Sequence, residues 1–323
     1  MSIERQLVEE FKRDSRRCPS DLDTRIAAEY RQQVMQQRGK PSMFKTKKTP
    51  KFVLIAAIFI VLCGFGYAGS KLLFDDHTDK LSSNYKIEQK LQLIPEDVAK
   101  IRGSLAEVRT QLNPGETAVV YFKDHDLEAQ GTPVVYGINK PVVLPVEEWR
   151  AALQEHHVGE KFPESILGAY RFVEGMETSP FQFTFGADAY TLLDEMKAES
   201  KKTGSEMLWR KTDVSEDITT TYTSVYRNAA GDSIYLTWQI ADGAPGAKVF
   251  QLVPPGTVYE ELQIGGLTAH YLKDSQSLFG ESSVHQDVTW LSAGEGKSTA
   301  YHVQTDSRTV TKEQLIEAAK SLF

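Results

Sequence analysis

The sequence predicts an α+β protein in three tiers. These are a short helical cytoplasmic tail, one transmembrane helix, and an exported mixed region with an antiparallel sheet and flanking helices. Three observations predict it. The stretch from Phe52 to Ser70 carries no charge and is bracketed by Lys51 and Lys71. Two patterns at helical spacing precede it. Beyond residue 200, segments of alternating polar and apolar residues are divided by turn signals, and a capped helix closes the chain.

The uncharged run comes first because it decides where the rest lies. As a helix, its 19 residues span about 28 Å, close to the hydrocarbon thickness of a bilayer. Lys71 can snorkel, which extends the expected membrane segment through Leu72 and Leu73 to Phe74, residues 52–74. A buried core helix and a cleavable signal are the alternatives. A helix apolar on every side at this length reads as membrane, and signal segments start nearer the N-terminus, so an uncleaved signal-anchor is expected. Residues 1–51 hold 13 basic and 7 acidic side chains, net +6, and the remainder 24 and 37, so the chain's net −7 conceals a strong asymmetry. The lysines cluster before the run (Lys40, Lys45, Lys47, Lys48, Lys51). This predicts a single-pass protein of the cell membrane, N-terminus cytoplasmic and C-terminal region extracytoplasmic. The two cysteines, Cys18 and Cys63, leave the expected exported part without a disulfide, so burial must stabilise it.

In the tail, residues 1–51, Ile3, Leu7, Val8 and Phe11 fall at helical spacing until Cys18-Pro19. Ser20 then resembles an N-cap, with Asp21 and Asp23 in the first turn. Leu22, Ile26, Tyr30 and Val34 recur at steps of four and form one narrow apolar stripe. Such short helices build no core, so the stripe is the candidate partner-docking surface. The alternative is a partly disordered tail that only sets topology. One cysteine and no histidine in the tail fall short of a structural zinc site.

The exported region is divided at Ser179-Pro180 into a juxtamembrane module, residues 75–178, and a domain, residues 179–323. Pro95 opens a helix carrying Val98, Ile101, Leu105 and Val108, and Asn113-Pro114-Gly115 stops it. Thr117–Lys123 reads as a strand, 133–144 as extended chain, the segment after Pro145 as a helix, Pro163 as the start of another, and Ala169–Met176 as a strand. In the second part, Asp188–Ser200 looks helical. Strands are expected at 207–213, 218–227, 233–241, 258–264, 267–272, 287–291 and 299–305, with Asn228–Asp232 as a hairpin turn. Thr311 and Gln314 form a capping box ahead of a last helix that buries Leu315, Ile316, Ala319 and Leu322.

The segment "VTWLSAGEGKSTAYHVQTDSRTVTKEQLIEAAKSLF" resembles the end of a domain of unknown function in single-pass membrane proteins of Gram-positive spore-forming bacteria. "QLNPGETAVVYF" is similar to their juxtamembrane module. Some members are named as anti-sigma-like regulators encoded beside sigma factors. The resemblance implies a regulator with an exported sensor or interaction region, and with a sigma factor or other regulatory protein as cytoplasmic partner beside the lipid bilayer. The alternative is an exported structural or ligand-binding module of the envelope. The matching motifs are structural, and the tail departs from the zinc-binding anti-sigma pattern.

No enzymatic activity, cofactor or metal is expected. Ser83 and Lys86 match S-x-x-K and Lys202-Thr203-Gly204 matches K-T-G, both used by penicillin-recognising enzymes. No S-x-N element lies between them, and such short patterns arise by chance. Gly64–Lys71 transposes the lysine and serine of a phosphate loop. Asp75, Asp76, His77 and Asp79 read as a solvated acidic collar, Glu147-Glu148 and Glu160 with Glu164 as surface charge, and His156-His157 as a helix end. The aromatic residues of the last strands, among them Trp209, Tyr222, Tyr235, Trp238, Trp290 and Tyr301, read mostly as sheet core. The strongly acidic C-terminal part argues against direct nucleic-acid binding.

Overall fold

The computed structural model describes residues 71–123, 135–160, 162–181, 189–212, 219–242 and 247–323. The chain enters them as a hairpin of β1 (Lys71–His77) and β2 (Leu81–Ile87). Its turn is closed by the Thr78 hydroxyl, which donates to the Leu81 carbonyl at 2.8 Å. Helix α1 (Pro95–Gln111) starts on its proline and buries Val98, Ile101, Leu105 and Val108, the face read from the spacing. Strands β3 (Thr117–Phe122) and β4 (Val135–Asn139) follow. Then come α2 (Val146–Glu155) and the strands β5 (Ser165–Ile166) and β6 (Tyr170–Met176). Helix α3 (Ala189–Thr203) leads to β7 (Met207–Thr212).

From there strand follows strand: β8 (Thr220–Arg227), β9 (Ser233–Ala241), β10 (Ala247–Val253), β11 (Val258–Ile264), β12 (Leu267–Asp274), β13 (His285–Gly294) and β14 (Lys297–Thr305). Helix α4 (Lys312–Lys320) ends the chain with its capping box formed: the Gln314 amide NH donates to the Thr311 hydroxyl, and the Gln314 side chain accepts from the Thr311 NH.

Three sheets result. The largest has eight antiparallel strands in the order β11-β12-β13-β14-β9-β8-β6-β5. A second, β4-β3-β7, packs with α1 and α3 around Ile101, Leu105, Val119, Tyr136 and Met196. The third joins β1 and β2 to β10, with β10 running parallel to β2. Strands from either side of Ser179-Pro180 share sheets, since β3 pairs with β7 and β6 with β8.

The two faces of the eight-stranded sheet differ. Side chains alternate along a strand, so Ile234, Leu236, Trp238 and Ile240 of β9 point one way. There they join Val288, Trp290 and Val303 under Trp149 and Leu153 of α2 and Leu315, Ala318 and Ala319 of α4. This is the largest apolar cluster. Trp149 lies so close over β6 that a Cβ at Gly175 would come within 2.1 Å of its ring, and its indole NH donates to the Ser224 hydroxyl at 2.8 Å. The other face presents Thr237, Gln239, His302, Gln304, Asp287, Thr289 and His270, all buried. The β1-β2-β10 sheet covers this face through two small apolar clusters. One holds Phe74, Tyr85, Val253 and Leu272, the other Leu81, Ala241, Ala247 and Ala300.

Three expectations are corrected. The described residues are mostly β, 45% strand against 23% helix, which corrects the expected α+β class; the expected helical tail, and the expected membrane helix up to Ser70, fall on residues that are not described. Among the described residues no helix is long and apolar enough to cross a membrane. Lys71 to Phe74, expected to finish the membrane helix, begin β1 instead. Among the described residues, then, nothing supports the transmembrane, signal-anchor and single-pass readings. Residues 1–70, including the tail stripe, lie outside the described residues. The physical reason for β1 is pairing: Phe74 sits opposite Tyr85 and stacks on it at 4.5 Å, contacts that a hydropathy pattern does not contain. Finally, Pro163 starts no helix; the chain passes directly into β5.

Candidate functional site

The buried polar layer between the two sheets is the part of the molecule richest in chemical groups. Strand alternation brings its members together. On β13, His285, Asp287 and Thr289 share a face. On β14, His302 and Gln304 stand opposite Thr289 and Asp287, and on β9 Thr237 stands opposite His302. An ionised carboxylate only accepts hydrogen bonds, so the His302 Nδ1–H donates to Asp287 Oδ2 at 2.9 Å. The Gln304 amide donates to the same oxygen at 3.3 Å. Thr237 continues the chain to Gln304 and to Thr223, the latter at 2.9 Å.

Tyr85 closes the layer from β2. Its hydroxyl, Asp287 Oδ1 and His302 Nε2 are all buried and make no hydrogen bond, as is His285 Nε2 at the edge. Burial holds the Tyr85 phenol well above its ordinary pKa, and the Asp287 charge adds to the effect. The phenol is therefore neutral, a donor beside a carboxylate it does not reach. His285 is pushed down to about 4, chiefly by burial; Asp287 opposes the shift and His302 adds to it. Opposite it in register stands Asp274. Burial pushes Asp274 up to about 6 against backbone NH donors from Gln276 and Ser275.

A second histidine ties the sheets together. His270 Nε2 lies 2.9 Å from Asp76 Oδ2 of β1, and its Nδ1 is 3.1 Å from the Tyr259 hydroxyl. The Phe74 ring stacks on the imidazole at 3.7 Å, nearly parallel. Each sheet supplies one partner of this His–carboxylate pair, and the imidazole is 2% exposed. It is a latch across the layer.

The layer's groups could orient an imidazole as a base, yet they lie sealed between sheets. Ser83 and Lys86 are not brought together. Residues three apart on a strand point to opposite faces, and Lys86 lies over the Phe250 ring at 5.1 Å, whereas Ser83 is buried on the face of Tyr85. Lys202-Thr203-Gly204 ends a helix, where Thr203 donates to the Glu199 carbonyl. The acidic collar divides: Asp75 pairs with His77 at the surface, and Asp76 is the latch partner. Glu160 is no surface charge. Its side chain is 4% exposed and takes Lys297 at 2.6 Å, while Glu164 pairs with Arg150 in the open. His156 caps the end of α2 and faces Glu177. Among the described residues no group of three or more His, Cys, Asp or Glu is placed to hold a metal ion. The docking stripe of Leu22, Ile26, Tyr30 and Val34 lies outside them.

Sequence reasoning placed β12, β13 and β14 but passed over His270, His285, Asp287 and His302. A signal was there: histidine, aspartate and glutamine at every second position of the expected strands.

No family model, no curated protein and no solved structure matches the chain.

Proposed function

We propose that the chain is a non-catalytic regulator. Its folded body responds to a ligand, and its N-terminal tail docks a cytoplasmic regulatory protein of sigma-factor type. The observation that carries the reading is the latch between His270 and Asp76. The β1–β2 hairpin is the element through which the chain passes from residues 1–70 into the body. It rests on the large sheet by a His–carboxylate pair and two small apolar clusters. Beneath it lie polar atoms without partners, each costing about 1–3 kcal/mol while buried. A sheet resting on its neighbour this way, with β2 still paired to β10, can shift as a unit, so a change in the body can reach the tail. Ser83 is buried and Lys86 lies on the opposite face of β2, which argues against the S-x-x-K match acting as a nucleophile and its helper.

The test is capture of the sigma factor encoded nearest the gene by full-length protein. The double variant Ile26→Asp/Tyr30→Asp is expected to abolish capture and leave the thermal melting of the body unchanged. Asp76→Asn, which weakens the latch, is expected to change capture affinity about fivefold, a coupling of about 1 kcal/mol. Equal capture by wild type and the double variant would leave the tail without a docking role and turn the reading to a ligand-binding module alone.

A further inference from the structure

The eight-stranded sheet ends on β11, and among the described residues no strand pairs with its outer edge. Gly265 and Gly266, both at positive φ, turn β11 into β12. A two-residue turn of this kind is closed by a hydrogen-bonded pair, here Ile264 and Leu267. Pairing then alternates along the ladder. Val258, Glu260, Leu262 and Ile264 exchange their backbone bonds with β12, and the N–H and C=O groups of Tyr259, Glu261 and Gln263 point out of the sheet. Among the described residues none of these outward groups meets another backbone group. The register runs from Val258 to Ile264 without a bulge, and no proline interrupts it.

A free edge is a template for another strand, and proteins protect such edges. Other terminal strands here show how. β5 is two residues long. β1 is bulged between Leu72 and Phe74. On β7 the Lys123 NH takes the Glu206 carbonyl, so Trp209 faces outward, and the Arg210 guanidinium donates to the Trp209 carbonyl at 2.8 Å. β11 is seven residues long and has none of these devices. Its protection is acidic charge. Glu260 is exposed and pairs with Lys312 at 2.6 Å. Glu261 is exposed and forms no ion pair among the described residues. It stands opposite His270 in register, but both ring nitrogens of His270 are taken by Asp76 and Tyr259.

We propose that the outer edge of β11 docks an extended basic segment of a partner protein, which adds one strand to the sheet. Main-chain hydrogen bonds to Tyr259, Glu261 and Gln263 supply affinity, and alternate side chains supply selectivity. A lysine or arginine of the incoming strand beside Glu261 completes a cross-strand ion pair. The next residue falls on the other face, where Val258 is 55% exposed and Leu262 half-buried, and an apolar side chain suits it. A second copy of this chain is the poorer occupant. Antiparallel pairing of two β11 strands about Glu261, the middle outward residue, sets Glu261 against Glu261, and like charges directly opposite repel. Tyr259, the first outward residue, carries the hydroxyl that meets His270 Nδ1 at 3.1 Å, so an added strand borders the latch. The edge gives the responsive body proposed above a ligand class and in that respect rests on that reading, but strand docking is measured without the tail's partner.

The experiment is fluorescence anisotropy of the full-length protein with a labelled, end-blocked peptide of alternating valine and lysine, matched in length to the seven residues of β11. The same peptide with glutamate for lysine is the control at equal ionic strength. Wild type is expected to bind the lysine peptide and not the glutamate one. Methylating one set of alternate peptide amides is expected to abolish binding, and methylating the other set to leave it, because an added strand turns only every second residue to the edge. Glu261→Pro removes an outward N–H that β12 does not use, a change edge strands tolerate. It is expected to weaken binding about tenfold and leave the melting temperature unchanged. Glu261→Lys is expected to reverse the preference between the two peptides. If Glu261→Pro does not fold, the methylated peptides and Glu261→Lys decide. No binding of the lysine peptide by wild type, equal effects of the two methylation sets, or equal binding by folded Glu261→Pro would each overturn the proposal. A concentration-dependent dimer of wild type that Glu261→Pro disperses would overturn it in favour of a second copy.

Discussion

The two faces of the eight-stranded sheet are made by the same strands and do opposite work. Along β9, Ile234, Leu236, Trp238 and Ile240 enter the cluster under α2 and α4, while Thr237 and Gln239 enter the polar layer. Both faces are buried. On the helix face, burial of apolar area is stabilising at about 25 cal/mol per Å², and close packing makes any change of volume costly. On the polar face, hydrogen bonds return little more than the desolvation they require, and several atoms go without. The difference teaches that one sheet can be packed for stability on one side and left with unsatisfied polar groups on the other, the side to which the proposed function assigns responsiveness. The helix side keeps the body folded, and the polar side carries the element that leads to the rest of the chain.

The comparison is broken most severely from the helix face. Gly175→Ala drives a methyl group into the Trp149 ring and is expected to cost about 3 kcal/mol, read as a lower urea midpoint with unchanged slope. A cost under about 1 kcal/mol would show that Trp149 can move and that this face is not the rigid one.

Next in size comes the polar face. Asp287→Ala strips the acceptor from His302 and Gln304 and is expected to cost about 2–3 kcal/mol. Asp287→Leu/His302→Leu removes both partners and should be more stable than the single variant, because the buried polar groups go together. Were the double variant the weaker of the two, the layer would be contributing stability after all.

The pH dependence sharpens the contrast. The folded pKa of Asp274, about 6, lies above its ordinary 3.8. Its contribution is therefore full below 3.8 and is lost as pH rises through about 6. The folded pKa of His285, about 4, lies below its ordinary 6.5. Its contribution is full above 6.5 and is lost as pH falls through about 4. The two oppose each other across the same window. Relative to wild type, Asp274→Asn should gain about 2 kcal/mol between pH 4 and 6, and His285→Gln should lose its advantage over that range. Chemical denaturation at pH 4, 5, 6 and 7 measures both; parallel curves for all three proteins would remove these two groups from the account.

The smallest effect lies at the edge of the helix face. Thr311→Ala removes the cap of α4 and should cost about 1 kcal/mol. A loss much greater than this would mean that α4 unfolds as a whole, exposing Leu315 and Trp290.

Much of the body was legible in the sequence where the cause is local. Pro95 and Asn113-Pro114-Gly115 bound α1, Asn228–Asp232 turns β8 into β9, and Thr311 with Gln314 starts α4. Each is a matter of backbone angles and hydrogen bonds within a few residues. The third sheet was legible in none of its strands. β1 was read as membrane and collar, β2 went unassigned except for its Ser83–Lys86 pattern, and β10 was not anticipated. Its decisive pairing sets residues 81–87 beside 247–253 in parallel. No hairpin turn marks such a pairing, and only the folded body brings the two segments together.

The sequence by itself determined the periodicities, the caps and turns, and the asymmetry of charge along the chain, because these depend on neighbours a few residues apart. Only the tertiary structure decided that Asp76 answers His270, that Asp287 answers His302, and that Arg171 faces Arg227. A polar residue on a strand reads alike whether it meets water, a partner or a like charge. What it meets is set by the register of strands distant in sequence and by the sheet or helix laid across them.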